Sequence, residues 1–207
     1  MEQGENQLYL EKTVNEVNSM LTEVFESRVR EIIKEPESFN NYKKDLFEQW
    51  ISILELYKKT IKKEGRFFIP SSHKYVFLGV LFEGLVKIIL FFNSPMDYLA
   101  MKPKDRILGR LKRKLIKLIN EPDETKSKEL EKSYELMTSL RNNFIHFPFY
   151  SSDDYRFRWL FFQVFAYLLD KFSLWNCLDN SGGEFIKKMA LEKPVGVSLL
   201  EVDLYKQ

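Results

Sequence analysis

Apolar residues recur at three- and four-residue steps along most of the chain, which is the spacing of helix faces. In the first segment these are Leu10, Val14, Val17, Leu21, Val24, Phe25, Val29, Ile32 and Ile33, with polar residues between them. Pro36 closes it, because the residue before a proline avoids the α region. A second segment carries Leu46, Phe47, Trp50, Ile51, Leu54, Tyr57 and Ile61 and stops at Gly65, a C′ glycine. Residues 66–70 read as an extended linker. Ser71 or Ser72 caps a third helix that runs to about Asn93 and stops before Pro95. A fourth helix starts near Pro103 with the stripe Ile107, Leu108, Leu111, Leu115, Leu118 and Ile119, and Glu121-Pro122 ends it. The fifth begins near Asp123, carries Leu130, Tyr134, Met137, Leu140, Phe144 and Ile145, and breaks at Pro148. A sixth, 155–178, is apolar nearly all round, as befits the centre of a bundle or a subunit interface. Asn180-Ser181-Gly182-Gly183 reads as a flexible break, and 195–205 as a short strand or an arm on a partner.

The fold class this predicts is all-α. Composition agrees. With 207 residues, 15% aromatic, 30% charged, 8 Gly and 7 Pro, the chain can bury one sizeable core but is neither disordered nor a turn-rich β-sandwich. Residues 76–92 are long and apolar enough to imitate a membrane span. Glu83 and Lys87 sit near its middle, however, where one charge costs roughly 3 kcal/mol on insertion scales. A buried helix is the better reading, with no membrane partner. Residues 1–7 are polar and acidic, without the basic and apolar regions of a secretory signal, so a cytoplasmic location is expected. One cysteine, Cys177, excludes a disulfide framework and reads as a small buried hydrophobe.

The net charge of +2 is near balance, but the fourth helix conceals a cationic patch. Lys102, Lys104, Arg106, Arg110, Lys112, Arg113, Lys114 and Lys117 stand against Asp105 alone. Arg106, Arg110, Arg113 and Lys117 form one stripe opposite the leucines, suited to track an RNA backbone. A solvated face balanced by acids in space is the plain alternative. Arg156 and Arg158 extend the surface, and Tyr150 and Tyr155 are candidates to stack on bases.

Catalytic residue types are few. There are two histidines, His73 and His146, and no phosphate loop, nucleophile elbow or HExxH. No cofactor is expected, and a metal site would have to be made of carboxylates. His73 reads as a near-cap residue. The richest segment is Leu140-Arg141-Asn142-Asn143-Phe144-Ile145-His146-Phe147-Pro148. An arginine grips a phosphate with two donors and a histidine moves protons near neutral pH, while Asn142 orients either. Five helical positions rotate about 500°, so Arg141 and His146 lie about 140° apart around the axis. They converge only if Pro148 unwinds the last turn or a second copy brings its own pair. A dimer also supplies two histidines, one as base and one as acid, for attack by a ribose 2′-hydroxyl. The alternative is a structural helix end, with His146 on the dipole and Arg141 paired to a carboxylate.

Three segments in order resemble the HEPN superfamily of helical bundles. Leu81-Phe82-Glu83-Gly84-Leu85-Val86-Lys87 resembles its apolar helix with a Glu-x3-Lys pair. Residues 107–115 resemble its second helix, although the family's frequent Gly-His reads Gly109-Arg110 here. Arg141-Asn142-Asn143-Phe144-Ile145-His146 is similar to its Arg-polar-x3-His motif. The resemblance covers about 70–178. It implies an up-and-down bundle of four to five core helices at 70–178; outside the resemblance, the apolar pattern predicts an extra N-terminal helical pair at 1–69 packed on that core and a C-terminal tail at 179–207. It also implies a metal-independent endoribonuclease with a composite homodimer site, in toxin–antitoxin, anti-phage defence or RNA-processing settings. A nucleotidyltransferase antitoxin is a common partner. Catalysis falls to Arg141, Asn142 and His146. Glu83 and Lys87 pair with each other or reach toward Arg141 in support. Relatives with eroded motifs imply the alternative, an inactive module that binds nucleotide, RNA or protein.

Overall fold

The computed structural model describes the backbone of residues 2–61, 71–146, 155–195 and 199–206, and side chains there except at 2–15, 18, 71–73 and 144–146. It is all-helical, with no strand among the described residues. The chain divides into two compact units, Met1–Lys43 and Lys44–Gln207.

The first unit holds α1, Glu2–Lys34, and the start of α2, Pro36–Ile61. Pro36 occupies the first turn of α2, where its missing N–H costs nothing. Ser38 Oγ donates to Glu35 at 3.0 Å across the junction.

The second unit is built from the rest of α2 and six further helices. These are α3 Ser71–Asn93, α4 Pro95–Ala100, α5 Leu108–Ile119, α6 Glu124–His146, α7 Tyr155–Lys171 and α8 Asn180–Leu191. α3 and α7 carry the densest core. Leu78, Leu81, Phe82, Leu85, Val86 and Ile89 of α3 are sealed from solvent, and so is nearly every residue from Trp159 to Leu169. Thus α3, which has the length and hydropathy of a membrane span, places most of that apolar surface inside the bundle. Phe47, Trp50, Leu54 and Tyr57 from the second half of α2 join the same core. Trp50 Nε1 donates to the Leu81 carbonyl at 2.7 Å. The compact unit therefore extends on both sides of the span 70–178 that carries the family resemblance.

Local chemistry sets the helix ends. Asp123 caps α6 by accepting from the Thr125 and Lys126 amides at 2.9 and 3.0 Å. Asn120, left-handed at φ 45°, closes α5 before Pro122. Several boundaries depart from the sequence reading. α7 stops at Lys171, because Ser173 turns left-handed at φ 54° and a 3-10 turn over Trp175–Cys177 follows. α5 starts at Leu108, after a separate 3-10 turn over Pro103–Asp105, and Pro95 opens a short helix. Asn180 to Gly183 form the first turn of α8, since Asp179 caps it by accepting from the Gly182 amide at 2.7 Å. Cys177 is exposed rather than buried. The described tail residues form no strand; Leu200, Leu204 and Tyr205 pack into the core. Buried Gln163 holds them, donating to the Tyr205 carbonyl at 3.2 Å and accepting from its amide at 2.9 Å.

Candidate functional site

α3 and α6 come close at a glycine. A Cβ on Gly79 would lie 2.5 Å from Arg141 Cγ and 2.8 Å from its Cβ. The absent side chain lets Arg141 lie against α3, one helical turn from Glu83. Arg141 then donates to Glu83 Oε2 at 2.8 Å. The other oxygen, Oε1, takes Lys87 Nζ at 2.6 Å. A second guanidinium nitrogen of Arg141 donates to Asn142 Oδ1 at 3.0 Å. Arg141 Nε is buried without a hydrogen-bond partner among the described residues. The Arg141 side chain is 30% exposed, so part of it still meets solvent.

Glu83 is thus the hub of this cluster, with its side chain only 17% exposed. Its charge reaches two phenols. Burial first, and the Glu83 carboxylate second, push the Tyr134 hydroxyl well above its ordinary value. Tyr134 donates to the Leu108 carbonyl at 2.6 Å, which ties α6 to the start of α5. Burial also raises Tyr98, with Arg106 opposing and Glu83 adding.

Of the three motif residues, Arg141 and Asn142 meet directly and Asn142 is exposed. His146 is the last residue of α6, and its side chain lies outside the described residues, as does that of His73. Tyr150 lies outside them as well.

The cationic residues of α5 separate into two roles. Arg106, which precedes α5, is half-buried, donates to the Leu99 carbonyl at 2.8 Å and lies over the Tyr98 ring at 5.6 Å, so it ties the segment before α5 back to α4. Lys112 bridges to α6, with Glu131 at 3.2 Å and a close pair with Glu135. Arg110, Arg113, Lys114 and Lys117 remain exposed, and Arg110 makes a close ion pair with Asp105. A surface groove of about 720 Å³ follows Arg110, Arg113 and Lys117. On α7, Arg158 covers the Tyr155 ring at 4.3 Å, and Arg156 is exposed. Among the described residues, no three carboxylates, imidazoles or thiols converge as metal ligands.

Comparison with known protein families, curated proteins and solved structures gives no significant match. Sequence reading missed Gly79 and the two phenols around Glu83. A glycine inside an apolar helix was the available signal, since it often marks a close approach.

Proposed function

We propose that the chain is a HEPN-type endoribonuclease that cleaves RNA without a metal, working as a homodimer in the cytoplasm. The observation that carries this reading is Arg141. It is held in place by Glu83 and Asn142 with its side chain partly exposed to solvent, on the same helix that ends at His146.

The chemistry follows from these groups. An imidazole takes the proton of a ribose 2′-hydroxyl, and O2′ attacks phosphorus. The P–O5′ bond breaks as a second imidazolium gives its proton to O5′, leaving a 2′,3′-cyclic phosphate and a 5′-hydroxyl. Each chain supplies one motif histidine, so two chains around a twofold axis supply base and acid. Arg141 offers the phosphate a preorganised cation whose position needs no further ordering. Asn142 orients the guanidinium or a phosphate oxygen. Arg110, Arg113, Lys117, Arg156 and Arg158 belong to the cationic surface in this reading, while Arg106, expected there from the sequence, is taken up by the Leu99 carbonyl and the Tyr98 ring, and a nucleotidyltransferase-type antitoxin is a suitable partner.

A second reading rests on the same ion pair. Glu83 already neutralises Arg141 at 2.8 Å, which suits a non-catalytic module that binds RNA, nucleotide or protein. The deciding experiment incubates purified protein with total RNA and EDTA. Cleavage that disappears in His146→Ala and in Arg141→Ala supports the nuclease. Intact RNA with wild-type protein, or equal cutting by the variants, rejects it in favour of the module.

A further inference from the structure

We infer that α5 carries a track for single-stranded RNA, with phosphates along its cationic groove and one unpaired base in an adjoining slot. The choice of RNA as the polymer rests on the nuclease reading above.

The slot is an open depression of about 330 Å³ between the end of α3, α4 and α5. Leu90, Tyr98, Met101 and Leu118 line it, and most of its lining is apolar. Ser94 and Asp97 add polar atoms, and Lys114 and Lys117 complete the wall on α5. An apolar slot of this size, with a few convergent polar groups, suits a flat heterocycle joined to an anionic group.

The groove lies on the other side of Lys117, which lines both cavities. Helix geometry explains the sharing. Viewed from Lys117, Lys114 and Leu118 rotate to one side by about 60° and 100°, and Arg113 and Gly109 to the other by about 40° and 80°. Arg110, Arg113 and Lys117 then step along about 10 Å of helix, enough for two or three phosphates. At Gly109 a Cβ would meet nothing within 4 Å, so the groove has an open floor there. Lys112, neutralised by Glu131 and Glu135, forms the far wall together with Glu131.

Single strands fit this layout and duplexes do not. A paired base is stacked inside its helix and would have to be extruded to reach the slot. An unpaired strand presents its bases freely, and each carries a face for apolar or aromatic contact. The strand would lie with its backbone on Arg110 and Arg113 and pass Lys117, where one base turns into the slot.

The test uses the full chain and a 2′-O-methyl single strand of about twelve nucleotides, which lacks the attacking hydroxyl. Binding is measured by anisotropy over a range of salt concentrations. The affinity should fall with salt, and the combined Arg113→Gln and Lys117→Gln changes should flatten the log–log slope by about 1.4. A strand made abasic throughout should bind about tenfold more weakly than the intact one. Met101→Trp, which fills the slot, should erase that difference between the two strands. Met101→Phe, a milder filling, should shrink it. An unchanged slope in the double variant overturns the track, as does equal binding of abasic and intact strands. So does a Met101→Phe protein that still discriminates fully. Cleavage of unmodified RNA without these effects removes the track and leaves the nuclease. The effects without cleavage remove the nuclease and keep the track.

Discussion

Gly79 of α3 and Arg141 of α6 stand so close that a methyl group on the glycine would overlap the arginine side chain, at 2.5 Å from Cγ. The arginine cannot retreat without leaving Glu83. Gly79→Ala should therefore cost stability despite the helix preference for alanine. Overpacking typically costs 1–3 kcal/mol and the propensity gain returns about 1. A net loss of up to about 2 kcal/mol in urea denaturation is expected. Gly109→Ala is the control. Nothing lies near its Cβ, so it should be neutral or stabilising by up to about 1 kcal/mol. Equal effects at the two glycines would contradict the close approach.

That contact also shows what a sequence can and cannot reveal. The stop of α3 and the start of α6 were legible, because Pro95 and Asp123 act on their immediate neighbours. The end of α7 was not. Phe172, Leu174 and Trp175 continue the apolar pattern, while the chain turns at Ser173, a residue with no special preference for positive φ. The start of α8 was hidden for the opposite reason. Two adjacent glycines suggest a break, yet the Asp179 carboxylate caps the turn and makes it helical. In the site, the Arg141–Asn142 pair follows from adjacency, and the spacing left open whether Glu83 served Lys87 or Arg141. It serves both, one oxygen each. Gly79 beneath Arg141 arises only when two distant helices pack.

Glu83→Gln should disturb more than Lys87 does. The substitution leaves a mostly buried guanidinium without its carboxylate, for a loss of about 1–3 kcal/mol. Lys87 is 38% exposed, so Lys87→Met should cost less than about 1 kcal/mol. A second readout is spectroscopic. The Glu83 charge helps hold the Tyr134 and Tyr98 phenols in their neutral form, so in Glu83→Gln both should ionise at lower pH than in wild type. An ultraviolet titration of phenolate that is identical in the two proteins would refute this coupling.

Arg106 and Arg113 look equivalent in the sequence but should behave differently. Arg106 holds the Leu99 carbonyl and lies over the Tyr98 ring, so Arg106→Ala should lose about 1–3 kcal/mol. Arg113 is exposed on the groove, and Arg113→Ala should stay within about 0.5 kcal/mol of wild type. Thermal melts of the two variants measure this directly. A stability loss at Arg113 matching that at Arg106 would mean that Arg113, too, is structural.

The pair Tyr167–Glu121 should leave a signature at both ends of the pH scale. The Tyr167 hydroxyl donates to Glu121 in a close contact, and Lys171 lies 3.5 Å from the same carboxylate oxygen. Tyr167 lowers the Glu121 carboxyl below its ordinary 4.5, with backbone and Lys171 contacts helping against burial. Burial, and then Glu121, raise the phenol well above its ordinary 10.0. A depressed carboxyl adds stability above its unfolded value, and that stability disappears as pH falls. A raised phenol adds stability below its unfolded value, and this is lost as pH climbs past 10. The two effects share one hydrogen bond. Tyr167→Phe should therefore be less stable than wild type by about 1.5–3 kcal/mol near neutrality, the usual range for a hydrogen bond to a charged group. The gap should narrow below about pH 4.5 and above about pH 10, where one partner changes its protonation state. Urea unfolding of both proteins at acid, neutral and alkaline pH tests this, and a gap of constant size at all three would show that the phenol contributes packing alone.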